Sequence, residues 1–258
     1  QESAYTVYLL TNDKDFSLKN TKGLVNLKII GSNQYSKIFA EKDGFNEALS
    51  QRFFAAVLKR DLESAKDLMK KKGKNINVNA IDSRSGYTPL IQALINKDEA
   101  MVNYLLSLDR IDVNAVDHKK HFLPPISHTM QMQNERDAEK FARILIQHGA
   151  NVNEPSQSEI NLFNMPLMIA AWHGHLNLVK LVVENGAYVN QQDKKNGFTA
   201  LMKAIFNKED ESIVKYLLQH GADKNILSFL DRKTALDYAY DKGNRKLIEL
   251  LKESDGND

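Results

Sequence analysis

The sequence predicts an all-α repeat solenoid preceded by a short N-terminal segment outside the repeats. Three observations predict it. One motif recurs six times along the 258 residues. A second landmark keeps step with the first. Apolar residues between the landmarks fall at helical spacing, as in Leu176, Val179, Val182 and Val183, and again in Ile213, Val214, Leu217 and Leu218. Units of this size cannot bury an apolar face alone, so they stack, and a stack works by offering a surface.

The first landmark is a Thr-Pro-Leu-like step. Its anchors are Arg52, Pro89, Pro124, Pro166, Ala200 and Ala235, spaced 37, 35, 42, 34 and 35 residues apart. The second is Val78-Asn79, Val113-Asn114, Val152-Asn153 and Val189-Asn190, followed by Lys224-Asn225. Together they divide the chain into approximate repeats at 46–82, 83–117, 118–159, 160–193, 194–228 and 229–254. A tail of 255–258 follows.

Each element within a repeat has a chemical reason. Thr88, Thr199 and Thr234 precede a first helix and can cap its free N–H groups. Pro89 and Pro166 then take the first helical position, where no N–H is required. Four residues past the anchor the column reads Ala56, Ala93, His128, Ala170, Ala204 and Ala239, and its small side chains let neighbouring helices approach. Gly149, Gly186 and Gly221 end the second helices, where a left-handed residue is favoured. The last repeat sets Lys242, Arg245, Lys246, Glu249 and Lys252 outward, as an end with nothing stacked on it must. The third repeat is irregular. It has Pro124-Pro125 and about five surplus residues near Met130–Asp137, and the segment Glu154–Asn164 is long. Both insertions are expected to be loops.

Gly86-Tyr87-Thr88-Pro89-Leu90, Gly197-Phe198-Thr199-Ala200-Leu201 and His148-Gly149-Ala150-Asn151-Val152-Asn153 resemble the ankyrin repeat family. The resemblance spans about Phe45 to Ser254. It implies a helix–turn–helix–hairpin unit stacked into a curved solenoid. It also implies a non-enzymatic module that docks a protein partner in the concave groove. A histidine usual after Thr-Pro-Leu is missing, and Ile91, Met168 and Met202 stand in its place, so apolar packing should replace a polar network there. The alternative is the recognition domain of a larger enzyme, toxin or host-directed effector system whose catalytic part lies elsewhere.

Residues 1–45 carry no repeat. Tyr5–Leu10 and Leu24–Ile30 read as one or two short strands, Asn12–Asp15 and Gly31–Asn33 as turns, and a helix is expected from about Asn46 to Lys59. The segment reads either as a cap on the first repeat or as a partner-binding arm.

Composition narrows function. With no cysteine, thiol catalysis, disulfides and thiolate metal sites are excluded. A net charge of +2 argues against nucleic acid and anionic membrane as partners. No apolar run approaches the roughly 20 residues of a membrane span. No phosphate loop, nucleophile elbow or His-Glu-x-x-His motif occurs, so no cofactor, metal or catalytic residue is assigned. His118, His121 and His128 with Asp117 are the one grouping with metal-ligand character, and a structural reading suits them better. The Asn/Lys-rich, cysteine-free chain beginning at Gln1 tilts toward a bacterial protein, monomeric and periplasmic or secreted rather than cytoplasmic.

In the implied architecture, partner contacts lie two residues before the anchor and six or seven after it. Those columns predict a contact core of Tyr87, Ile95, Phe122, Met130, Trp172, Phe198 and Phe206, with Asn96, His173, Lys195 and Asn207 as its polar rim. The core side chains are expected to face solvent, since an exposed apolar stripe marks an interaction site.

Overall fold

A computed structural model of the chain describes residues 6–10, 26–30, 45–118, 122–156 and 165–253. Thr6–Leu10 (β1) and Asn26–Ile30 (β2) are strands, as expected, and they pair in parallel with Thr6 opposite Asn26 and Leu10 opposite Ile30. A parallel pair needs a crossover rather than a hairpin. The turns read at Asn12–Asp15 and Gly31–Asn33 lie outside the described residues.

Six helix pairs follow among the described residues. They are α1 (Glu47–Leu58) with α2 (Leu62–Lys72), α3 (Pro89–Ile95) with α4 (Glu99–Leu106), and α5 (Pro125–Met130) with α6 (Glu135–Gln147). Next come α7 (Pro166–His173) with α8 (Leu176–Glu184), α9 (Ala200–Lys203) with α10 (Glu211–Gln219), and α11 (Ala235–Lys242) with α12 (Arg245–Glu253). The first helices α1, α3, α5, α7, α9 and α11 stack in one row, and α6, α8, α10 and α12 stack in a second. The core is a single continuous apolar cluster between the rows, from Phe53 to Leu251. Each fully buried Leu, Ile, Val or Phe contributes about 1.5–3 kcal/mol. Ile91, Met168 and Met202 are all buried in it, so the apolar substitution of the usual histidine holds.

The caps read from the sequence are present. Thr88 accepts the N–H of Ile91, Thr199 that of Met202, and Thr234 forms a full capping box with Asp237. The second helices use carboxylate or amide caps instead: Asp61, Asp98, Asn134 and Asp210. An acid there also complements the positive end of the helix dipole.

The Val-Asn landmark has a mechanical role. The Asn79 amide donates to the Arg110 carbonyl and its Oδ1 accepts the Asp112 N–H. Asn153 does the same with Gly186 and Tyr188, and Asn190 with Gly221 and Asp223, all at 2.8–2.9 Å. Each of these asparagines thus ties its repeat to the next by two hydrogen bonds to backbone groups in the turn that follows the next second helix.

The third repeat corrects the register. Its first helix begins at Pro125, with Pro124 as the capping residue, and not at Pro124. A residue before proline avoids helical geometry, so the helix starts at the second of two prolines. The anchor moves by one and every column in this repeat moves with it. The position two before the anchor is then Leu123, not Phe122, and the position six after is Gln131, not Met130. Short fingers join the repeats. In four of them a buried residue donates its N–H to the carbonyl of the residue two before the anchor: Asp82 to Tyr87, Asp117 to Leu123, Asp193 to Phe198 and Ser228 to Lys233. That pairing fixes the shifted register independently.

Candidate interaction surface

The sites read from the sequence divide into three groups. Met130 is 0% exposed and Phe198 is 8% exposed. Their expected solvent exposure is corrected: Met130 moves into the core because of the one-residue shift, and Phe198 turns inward beneath its neighbours. Phe122 is 37% exposed but holds φ 45°, in the column where Gly86 and Gly197 stand in other fingers. Its ring lies 5.7 Å from that of His118, and the Tyr87 ring meets His128 edge-on at 5.8 Å.

The second group is the expected polar rim, and two of its four residues form inter-repeat ties. The Asn96 amide donates to the carbonyls of Val57 (3.1 Å) and Leu58 (3.3 Å), and the Asn207 amide donates to the Trp172 carbonyl at 2.7 Å. Both expected rim residues therefore spend their donors on the end of the preceding first helix. His173 is exposed and stacks on His175 at 5.9 Å. Partial burial, and then the nearby His175 and Lys208, hold its pKa below the ordinary imidazole value. Lys195 is exposed at a finger tip, where its backbone N–H donates to Asp193.

The third group lines the ends of the first helices. With the corrected anchor, the column six residues on reads Leu58, Ile95, Gln131, Trp172, Phe206 and Asp241. Leu58, Ile95 (42%) and Phe206 (39%) are exposed large apolar groups, and Trp172 is half-buried. Trp172 and Phe206 stack at 6.1 Å with planes 21° apart. Phe206 also meets Phe198 at 5.5 Å and Tyr238 at 5.9 Å. The backbone beneath Phe206 is unusual, because Ala204–Lys208 forms a π-helical turn ending in Glu209 with φ 53°. Such turns widen a helix locally and recur at functional sites.

Sequence reasoning missed the support under this cluster. The position three after the anchor answers the buried finger residue of the same repeat. His128 Nε2 lies 2.7 Å from Asp117 Oδ2, and Lys203 Nζ lies 2.8 Å from Asp193 Oδ2. The Tyr238 hydroxyl donates to Asp231 (2.7 Å) and lies 3.1 Å from the Ser228 hydroxyl, which also donates to Asp231. The signal was present as Asp82, Asp117 and Asp193 seven or eight residues before each anchor. Among the described residues no group of three or more His, Asp or Glu side chains could hold a metal ion. His128 is committed to Asp117, and His121 lies outside those residues. No described helix is long and apolar enough to cross a membrane.

Burial pushes the Tyr238 pKa up to about 12. The folded protein therefore holds this proton more tightly than the unfolded chain. The stabilisation is complete below about pH 10 and declines by about 1.4 kcal/mol per pH unit as pH rises toward 12. Tyr238→Phe should flatten that alkaline slope in urea unfolding measured across the interval. An unchanged slope would remove the assignment.

A family model described as ankyrin repeats (3 copies) matches residues 125–193 and 167–258, and a second, ankyrin repeats (many copies), matches 53–106. The chain belongs to the ankyrin repeat family. Ankyrin repeats are in general non-catalytic modules of protein–protein interaction. Ankyrin repeat and SAM domain-containing protein 6 of Rattus norvegicus is 36% identical over 138 residues, 52% of this chain and 14% of the rat protein. A fowlpox virus protein is 26% identical over 235 residues, 91% of this chain and 30% of its own length. The chain thus spans less than a third of either relative. An ankyrin repeat domain from Acinetobacter baumannii superimposes with a TM-score of 0.67 at 25% identity, covering 79% of this chain and 97% of that one. Animal, viral and bacterial relatives all occur, so the bacterial leaning of the composition gains no support from them.

Proposed function

We propose that the array over residues 46–254 docks a partner protein in its concave groove, with the Trp172–Phe206 stack as the anchor. The observation that carries this reading is an exposed apolar column at the ends of the first helices. Large apolar groups at Leu58, Ile95, Trp172 and Phe206 occupy equivalent places, and helix ends tied by Asn96 and Asn207 hold them in position. Aromatic anchors on a rigid frame dominate binding energy when a partner covers them, because little ordering entropy is lost. The short span of this chain relative to its relatives also suits an array acting as the recognition part of a longer protein.

The test uses a photo-crosslinking phenylalanine analogue in the source cell. It is placed at Ile95 in the groove or at Tyr188, which is 62% exposed outside the column. Protein adducts are expected from position 95 and not from 188. Adducts confined to 188 would place the partner on another face.

A further inference from the structure

We propose that the groove over α7, α9 and α11 takes an acidic, amphipathic segment of a partner protein. Its apolar side chains would lie on the Trp172–Phe206 floor and its carboxylates on the lysines around it. This rests on the docking reading above and adds the chemistry of the occupant. The floor is fringed by cations. Lys203 Nζ sits 5.6 Å over the Trp172 ring and 5.3 Å over that of Phe198, and Lys242 Nζ sits 4.8 Å over Phe206. Lys208 leaves the π turn beside them, and Arg232 stands at the next finger.

The acids here already have partners. Asp193 is held by Lys203, Glu209 accepts the Asn244 amide, Asp231 accepts Tyr238 and Asp241 pairs with Lys233. Lys195, Lys208, Arg232 and Lys242 form no ion pair among the described residues. An arriving carboxylate finds four cations without carboxylate partners, whereas an arriving cation finds acids already engaged. A single-stranded nucleic acid fits less well. It needs open aromatic faces for stacking, and here Trp172 is stacked on Phe206 and flanked by Lys203.

Trp172 is the only tryptophan, so its emission reports the groove directly. Three tryptophan-free peptides, sharing the same leucine and phenylalanine positions but acidic, neutral or basic between them, are titrated against the whole chain. An oligo-dT strand is run beside them. The acidic peptide should shift Trp172 emission with the highest affinity. That affinity should fall about tenfold in Lys208→Glu/Lys242→Glu, and also in about 0.5 M NaCl. Both positions are exposed, and an unchanged thermal midpoint confirms that the variant is folded. Equal or tighter binding of the neutral peptide, the basic peptide or oligo-dT overturns the charge assignment and leaves the docking groove standing. No emission change with any peptide overturns both.

Discussion

Lys203→Met should lower the unfolding free energy by about 3 kcal/mol, the scale expected when a buried ion pair loses one partner. Asp193 is 1% exposed and its carboxylate serves two ends of one structure. Oδ1 accepts the N–H groups of Lys195 (3.1 Å) and Asn196 (2.7 Å), which shapes the finger, while Oδ2 faces Lys203 Nζ at 2.8 Å. Methionine is an unbranched side chain of similar length that removes the charge, so the carboxylate is left buried without a counter-ion. Asp193→Asn should cost less. An asparagine oxygen still accepts the two finger N–H groups, and the lysine can swing outward to water.

The double variant should recover much of the loss. The last repeat already manages without the buried ion pair at the same place, where Ser228 and the Tyr238 hydroxyl meet and share the Asp231 carboxylate as acceptor. Urea unfolding of the wild type, both single variants and the double variant closes a cycle. Additive losses would show that the two side chains do not act as a pair.

The parts of the fold legible in the sequence are those whose chemistry is local. A threonine before a proline and a glycine after a helix each state their conformation within a few residues. The threonine caps stand where those residues predict them. The asparagine after each valine marks only the repeat spacing, and the ties it makes reach 31 to 35 residues along the chain. At Pro124-Pro125 the signal is also local, but repeat spacing points to Pro124 while the rule for the residue before proline points to Pro125, and the latter decides. That single step sets Met130 on the surface although it is buried, and sets Phe122, which is exposed, in the wrong column. The π turn at Ala204–Lys208 had no such signal, since it arises where one first helix meets its neighbours. The columns place Asn96 and Asn207 on a polar rim, and their carbonyl partners lie 35 to 39 residues away, beyond what one column can show. Phe206 has both roles at once: it is part-exposed in the groove and packed on Phe198 and Tyr238. Sequence columns sort residues into face or core and do not register a side chain that belongs to both.

The finger above that cluster carries the other large expected effect. Gly197→Ala should destabilise the array by about 3 kcal/mol, whereas Gly221→Ala should cost about 1 kcal/mol. Both glycines have positive φ, 71° and 84°, so both substitutions bear the left-handed penalty of an L side chain. They differ in what a Cβ would meet. At Gly221 nothing lies within 4 Å. At Gly197 the Phe229 ring would be 2.6 Å away and the Phe229 backbone nitrogen 2.7 Å. The ring can turn aside, because Phe229 is 52% exposed. The nitrogen cannot move freely, because its N–H donates to the Asn196 carbonyl at 2.7 Å and so joins this finger to the next. Adding Phe229→Ala to Gly197→Ala should therefore restore only part of the lost stability. The remaining strain should separate the fingers and move the Trp172 emission, since Phe198 follows Gly197 and packs under Phe206. Equal midpoints for the two alanine variants in urea would mean that backbone conformation alone governs these glycines, and that the contact between fingers is not needed to hold the last repeats together.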